Sequence, residues 1–160
     1  MHSSRQITLL LASILLCNFA GLLGSYFTAM SVETWYLTLN QPDFTPPSWI
    51  FAPVWTALYT MMGIALYLVW SRLMGGRRRL RWIIIFFVHL ALNVLWSYLF
   101  FGRRDLLLGL VGIGVLWLSI VWLLVSAIRF EKRASLLLLP YLGWVSFAAY
   151  LNYTLWELNT

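Results

Sequence analysis

The feature that most constrains the fold of this chain is a series of five apolar stretches, each long enough to cross a lipid bilayer. A transmembrane α-helix needs about 20 mostly apolar residues. The stretches cover residues 7–30, 49–71, 82–101, 106–128 and 134–155, with only scattered polar residues inside them. Membrane β-strands are about half as long and alternate in polarity, and these stretches do neither. The sequence therefore predicts an all-α fold, an integral membrane bundle of five transmembrane helices.

The composition excludes an ordinary soluble domain. Apolar residues make up 62% of the chain and charged residues only 10%, whereas soluble domains carry about 25% charged residues. Little of the chain lies outside the apolar stretches, so we expect residues 1–160 to form a single membrane domain. The first stretch follows Arg5 as a signal peptide would, but no small-residue cleavage site follows it. We therefore expect the first helix to be retained.

Residues 31–48, between the first two stretches, form a loop, and the segment from Trp35 to Trp55 that begins in it holds four of the five prolines and three of the ten tryptophans. Proline removes a backbone donor and pushes the preceding residue toward extended geometry. Pro42, Pro46 and Pro47 therefore cannot lie in the interior of a helix, so the segment that they span is not helical. Pro53 falls near the start of the next helix, where a missing N–H costs least. The pattern predicts an ordered, aromatic-rich cap over the mouth of a membrane helix.

The basic residues predict the orientation in the membrane. Nine of the eleven lysines and arginines lie at the N-terminus and in the loops after the second and fourth stretches, against Arg103 and Arg104 after the third. Cytoplasmic loops carry the excess of positive charge, so we expect a cytoplasmic N-terminus. The basic run at residues 77–81 lies between two spans, where it would meet anionic lipid, and we expect no nucleic-acid binding. The sequence leaves open whether the membrane is an inner or an outer one.

One face of the third stretch carries polar groups at membrane depth. His89, Asn93, Trp96 and Ser97 stand at offsets 0, 4, 7 and 8, which places them on one side of a helix. Polar side chains facing lipid are expensive, so this face should look into the bundle. Asn93 suits an interhelical hydrogen bond at least as well as a ligand contact, and a hydrogen-bonding role in packing is expected for His89.

The second and fifth stretches each carry an aromatic stripe at helical spacing. Such a stripe is compatible with a packed core or with the wall of a pocket. A small residue between aromatic ones, as at Ala148, would leave a recess. The stripes are Phe51, Trp55, Tyr59 and Met62 in the second stretch, and Pro140, Trp144, Phe147, Ala148, Leu151, Asn152 and Leu155 in the fifth.

Three blocks of the sequence together resemble one known family. They are WYLTLNQPDFTPPSWIFAPVWTALYTMMG at residues 35–63, ALNVLWSYLFFG at 91–102 and LLPYLGWVSFAAYLN at 138–152. The pattern resembles the TspO/MBR family, which includes tryptophan-rich sensory proteins and the mitochondrial translocator protein. The resemblance implies a five-helix bundle with a pocket near the first long loop. That pocket would bind porphyrins such as protoporphyrin IX and heme, and possible further ligands are other hydrophobic small molecules.

The resemblance also implies which residues line the pocket. It places the far end of the first helix, with the small residues Gly21, Gly24 and Ser25, beside it. The implied ligand-binding residues are Trp35, Phe51, Ala52, Trp55, Asn93, Trp96, Trp144, Phe147, Ala148 and Leu151.

Two departures from the family pattern bear on the ligand. No lysine or arginine follows Leu151 and Tyr153, so the sterol motif of mitochondrial members is incomplete and cholesterol transport becomes a minor expectation. Leu108 stands near the place of a tryptophan that lines the drug site in some members. Weak drug binding is the consequence we expect.

Enzymatic chemistry has little support in the residues. The five acids, Glu33, Asp43, Asp105, Glu131 and Glu157, all lie in loops or at helix ends, so we expect no carboxylate pair, no metal site and no required cofactor. Some family members are reported to degrade porphyrin in light, and the resemblance makes Trp55 and Trp144 the candidate catalytic residues. Three functions remain open: a porphyrin-binding sensor or carrier, a light-dependent porphyrin-degrading enzyme, and a structural or regulatory protein with an incidental pocket.

The fourth stretch contains Gly109, Gly112 and Gly114. Small residues allow close helix contact, either within the bundle or with a second chain. Because family members form homodimers, we expect a homodimer through this helix.

Overall fold

A computed structural model describes residues 2–71 and 76–160 of the chain. Met1 and residues 72–75, with Arg72 of the charge count, lie outside the described residues. The structure has five long helices and one short one: α1 (His2–Ala29), α2 (Trp35–Thr38), α3 (Phe51–Trp70), α4 (Arg77–Ser97), α5 (Leu106–Ile128) and α6 (Lys132–Leu158). The long helices are all apolar enough to cross a membrane. The predicted all-α bundle of five transmembrane helices is confirmed.

Four of the five long helices differ from the apolar stretches at their ends, and α3, at Phe51–Trp70, is slightly shorter than its stretch. Helix α5 has the predicted bounds, but α1 begins at His2, α4 begins at Arg77, and α6 runs from Lys132 to Leu158. The apolar stretch marks the hydrocarbon thickness, whereas polar and basic residues continue the helix into the headgroup region. A wide π-type turn, Tyr98–Gly102, extends α4, and a tight turn, Ser48–Ile50, leads into α3. Within the loop, α2 is a short helix that the sequence did not predict.

Helix α4 packs against α1, α3 and α5, and α6 closes the bundle against α3 and α5. The face of α4 that carries His89, Asn93, Trp96 and Ser97 is buried, as predicted. Near the N-terminal end of α4, Trp82 and Phe86 are completely buried and stack at a ring-centroid distance of 5.1 Å.

The backbones of α1 and α3 come into close contact at Gly63. A Cβ atom built at Gly63 would lie 2.5 Å from the Cα atom of Ile14 and 2.9 Å from the carbonyl oxygen of Ser13. Only glycine permits this contact, because backbone atoms cannot swing aside as a side chain can. Small residues provide the same close packing in other membrane helices.

The glycines of α5 differ in their surroundings. A Cβ atom at Gly109 would meet Phe100 at 2.6 Å, and one at Gly112 would meet Leu99 at 3.2 Å. Gly109 and Gly112 therefore take part in packing within the bundle, which was the alternative that the sequence left open, and a dimer contact through this helix stays a prediction. Gly114 has no atom within 4 Å of its Cβ position. The homodimer itself stays a prediction.

The Gly63 contact can be tested by Gly63→Ala. Overpacking costs about 1–3 kcal/mol, so the variant should unfold more easily than the wild-type protein in detergent, measured by denaturation followed with circular dichroism. Gly114→Ala and Gly143→Ala are matched controls, because both positions are helical and open. They should keep or gain stability, since alanine favours helix over glycine by about 1 kcal/mol. Equal stability of all three variants would contradict the close contact.

Candidate ligand-binding cavity

The loop over the bundle, residues 31–48, is fixed to the helix ends at several points, and we call it the cap loop. The backbone N–H of Asn40 donates to the Asn159 side-chain oxygen at 2.9 Å, and the Asn159 amide donates back to the Asn40 carbonyl at 3.0 Å. Ser31 donates to the carbonyl of Phe101 at 2.7 Å. The Phe44 ring stacks on Tyr150 at 5.3 Å. The prolines and these contacts make an ordered cap, as the sequence predicted.

A cavity of about 650 Å³ lies beneath the start of the cap loop, among α1, α3, the end of α4 and α6. This volume falls within the range of about 300–1,000 Å³ that small-molecule sites occupy. Its walls are mostly apolar and aromatic, with a few hydroxyl and amide groups. The lining residues are Asn18, Gly21, Leu22, Gly24, Ser25, Thr28, Ala29, Val32, Glu33, Ser48, Trp49, Phe51, Ala52, Trp55, Thr56, Tyr59, Trp96, Ser97, Phe101, Trp144 and Ala148.

Trp55 is the centre of the aromatic wall. Its ring lies 6.1 Å from Trp96 at an interplanar angle of 34°, and 5.6 Å from Tyr59 at 32°. On α6, Trp144 packs edge-on against Phe51 at 6.2 Å. The result is a set of large, rigid ring surfaces gathered from three helices, which suits a flat apolar ligand.

A hydrogen-bonded chain fixes the floor of the cavity. The Tyr59 hydroxyl donates to Asn93 Oδ1 at 2.6 Å, and Asn93 Nδ2 donates to the Tyr141 hydroxyl at 2.5 Å. Tyr59 lines the cavity, while Asn93 lies behind it and is almost completely buried. Asn93 therefore joins α3, α4 and α6, and in this structure it serves the interhelical role that the sequence left open.

The structure brings six of the ten predicted ligand-binding residues together at the cavity: Phe51, Ala52, Trp55, Trp96, Trp144 and Ala148. The other four do not line it. Besides Asn93, Leu151 is part of the buried core. The Trp35 ring packs edge-on against Phe100 at 5.7 Å, and the Phe147 ring lies between Trp144 and Phe44. Ligand contact itself stays a prediction for all ten.

Sequence reasoning missed most of the wall supplied by α1. Asn18, Gly21, Ser25 and Thr28 stand at offsets 0, 3, 7 and 10 and line the cavity together. A stripe of polar and small residues inside an apolar stretch was the sequence pattern from which they could have been predicted. The resemblance had placed Gly21, Gly24 and Ser25 beside the pocket, and all three line the cavity.

Glu33 is the only charged side chain that lines the cavity among the described residues. It accepts a hydrogen bond from the Ser48 hydroxyl at 3.2 Å, at the edge formed by the cap loop. Elsewhere in this loop, burial raises the pKa of the Tyr36 phenol to about 12, so it stays neutral at physiological pH. In the part of the chain that the structure describes, no group of three His, Cys, Asp or Glu residues is arranged to hold a metal ion.

Five membrane helices with an aromatic cavity under an anchored cap loop define an integral, multi-pass membrane protein with a cavity of small-molecule size. The sequence model of the TspO/MBR family matches residues 13–157, and the chain belongs to this family.

Relatives along nearly the full length agree with this assignment. The chain is 47% identical to the tryptophan-rich protein TspO of Archaeoglobus fulgidus, over 96% of this chain and 99% of that protein. It is 44% identical to the protein of the same name from Chlorobaculum tepidum, over 98% and 99%. The translocator protein of Bos taurus is 35% identical, over 91% of this chain and 86% of that protein.

The hydrogen-bonded floor predicts an effect of Tyr59→Phe. Removing this hydroxyl leaves Asn93 Oδ1 without its donor, and we expect a loss of about 1 kcal/mol in stability. Denaturation in detergent measures it, with Tyr150→Phe as the control because that ring is 59% exposed. If both variants are equally stable, the Tyr59–Asn93 bond contributes nothing to the bundle.

Proposed function

We propose that this protein is a membrane sensor or carrier that binds a tetrapyrrole, a porphyrin such as protoporphyrin IX or heme, in the cavity under the cap loop. The observation that carries the proposal is the cluster of indole and phenyl rings around a cavity of about 650 Å³. A flat tetrapyrrole offers a large π surface, which stacked aromatic side chains suit. The names of the relatives, translocator protein and tryptophan-rich sensory protein, agree with a role in carriage or sensing.

The cavity residues fit the ring of a porphyrin better than its carboxylates. Trp55, Trp96 and Trp144 would hold the macrocycle, and Ala148 leaves space between the aromatic side chains. No lysine or arginine lines the cavity in the described ranges, and Glu33 is negative at its edge. We therefore infer that the carboxylates of a bound porphyrin point out of the cavity. Other hydrophobic small molecules of similar size fit the same walls.

Light-dependent degradation of porphyrin is a second candidate function. Trp55 and Trp144, the two candidate catalytic residues, both line the cavity and would lie beside a bound macrocycle. Indole side chains are the most easily oxidised groups in this wall. A third candidate is a structural or regulatory role in which the cavity holds no physiological ligand.

A single titration separates the three functions. Purified protein is mixed with protoporphyrin IX, and tryptophan fluorescence and absorption spectra are followed in the dark and under light. Saturable quenching without products supports the sensor or carrier. Products that form only in light support the enzyme, and the absence of quenching contradicts both.

Ala148→Phe should block the cavity. The added ring fills the space beside Trp144, so we expect porphyrin affinity to fall by at least about tenfold, which corresponds to about 1.4 kcal/mol. Gly143→Phe is the control, because it adds the same ring to α6 where the Cβ position is open. Quenching titrations of both variants provide the measurement. Unchanged affinity in folded Ala148→Phe protein would place the ligand elsewhere.

Glu33→Gln should favour porphyrins with free carboxylates. Removing the negative charge at the edge of the cavity lowers the repulsion, and we expect affinity for protoporphyrin IX to rise by about two- to fivefold at low salt. Affinity for its uncharged dimethyl ester should stay the same. If the substitution changes the affinity for both ligands equally, Glu33 acts through the shape of the cap loop and not through its charge.

The distribution of charge supports a cytoplasmic N-terminus. Eight of the described basic residues lie at the end of the bundle that carries the N-terminus, against two at the end that carries the cap loop. With this orientation, the cavity lies toward the outer side of the membrane.

A further inference from the structure

A second recess lies at the opposite end of the bundle from the cavity, on the outer face between the start of α4 and the end of α5. It has a volume of about 650 Å³. Its upper part is basic and its lower part is apolar, and we call it the basic recess. The residues that matter are Arg78, Arg81 and Arg129 above, and Leu118, Trp122 and Val125 below.

The three arginines form a concentrated positive site. Arg78 and Arg81 are three residues apart, and therefore on neighbouring positions of one α4 face, while Arg129 caps the end of α5. All three side chains are exposed. No carboxylate lines the recess in the described part of the chain, so nothing there neutralises them. Guanidinium groups in this arrangement suit a phosphate, which they bind through paired hydrogen bonds.

The apolar part continues from the arginines toward the middle of the membrane. Leu118, Trp122 and Val125 share one face of α5 and are 63%, 36% and 52% exposed. From Arg129 to Leu118 the helix rises by about 16 Å. This is about half of the 30 Å hydrocarbon core, so the basic recess as a whole, from Arg129 to the end of the apolar part, is about as long as one leaflet.

The two helices are fixed to each other at the recess. The indole N–H of Trp82 on α4 donates to the carbonyl of Leu123 on α5 at 2.9 Å. Arg79 donates to the carbonyl of Phe130 at 3.2 Å, and its guanidinium lies 5.5 Å from the centre of the Phe130 ring. The relative position of the two helices at the recess is therefore set by these contacts.

We propose that the basic recess binds an anionic phospholipid. The phosphate lies among Arg78, Arg81 and Arg129, and one acyl chain runs along Leu118, Trp122 and Val125. A free phosphate ion would use the arginines but not the stripe, whereas a neutral lipid would use the stripe but leave three positive charges unpaired. Basic pockets between membrane helices are sites of this kind for acidic headgroups. The proposal is independent of any ligand in the cavity.

The test uses phosphatidylglycerol with bromine atoms at mid-chain, which quenches tryptophan fluorescence at contact distance. Purified protein in neutral detergent is titrated with this lipid. The difference in fluorescence between the wild-type protein and Trp122→Phe gives the contribution of Trp122. We expect saturable quenching of Trp122, with brominated phosphatidylcholine binding at least about tenfold more weakly. Arg81→Gln/Arg129→Gln should lose affinity for phosphatidylglycerol by about tenfold or more, since each arginine near the surface adds to the attraction.

The matched control is Arg103→Gln/Arg104→Gln, which removes the same charge at the opposite end of the bundle and should keep the affinity within about twofold. Inorganic phosphate and glycerol phosphate, at concentrations equal to the lipid, should not displace it. Equal binding of phosphatidylcholine, equal losses in both double variants, or displacement by free phosphate would each overturn the proposal. The variant Arg81→Lys/Arg129→Lys is the control for misfolding. It keeps the charge, so it should retain more affinity than the glutamine double variant.

Discussion

Inside a bilayer no water is available to satisfy a polar group, and α4 shows how this protein meets that constraint. Trp82 donates to a carbonyl of α5, His89 Nδ1 lies 2.7 Å from the Ser119 hydroxyl of α5, and Asn93 bonds to α3 and α6. These three residues occupy one side of the helix. Because each must find its partner, the rotation of α4 about its axis is fixed, and the neighbouring helices are positioned relative to it.

The cavity depends on the same constraint in a different way. Its floor is Tyr59, which Asn93 holds in place, and Trp55 packs against Tyr59. The hydroxyl groups of its α1 wall are already satisfied within their own helix: Ser25 donates to the carbonyl of Leu22 at 2.8 Å and Thr28 to that of Gly24 at 3.3 Å. An apolar ligand can therefore enter without breaking a hydrogen bond of the bundle.

The sequence predicted those features that depend on one helix at a time. The lengths of the apolar stretches predicted the five spans, and the spacing of His89 and Asn93 along the sequence predicted the buried face of α4. Features that depend on how two helices meet were not predictable. Gly63 and Gly109 are both glycines in apolar helices, and only the three-dimensional packing shows that one admits the backbone of α1 and the other the ring of Phe100. That Trp35 does not line the cavity was unpredictable for the same reason, since its ring packs against Phe100 in the π-type turn after α4.

The anchored cap loop raises the question of how a ligand could reach the cavity, and the lining of α1 and α3 gives an answer. Leu22 and Ser25 on α1 and Ala52 and Thr56 on α3 line the cavity and are also exposed on the surface of the bundle. The two helices touch at Gly63, far from the cap loop, and Tyr59 fills the space at Gly21. Beyond Tyr59 the cavity is open between them, toward the membrane. For the ligand proposed above, this opening would be a sideways path from the bilayer, and the cap loop would stay fixed by its contacts with Asn159, Phe101 and Tyr150.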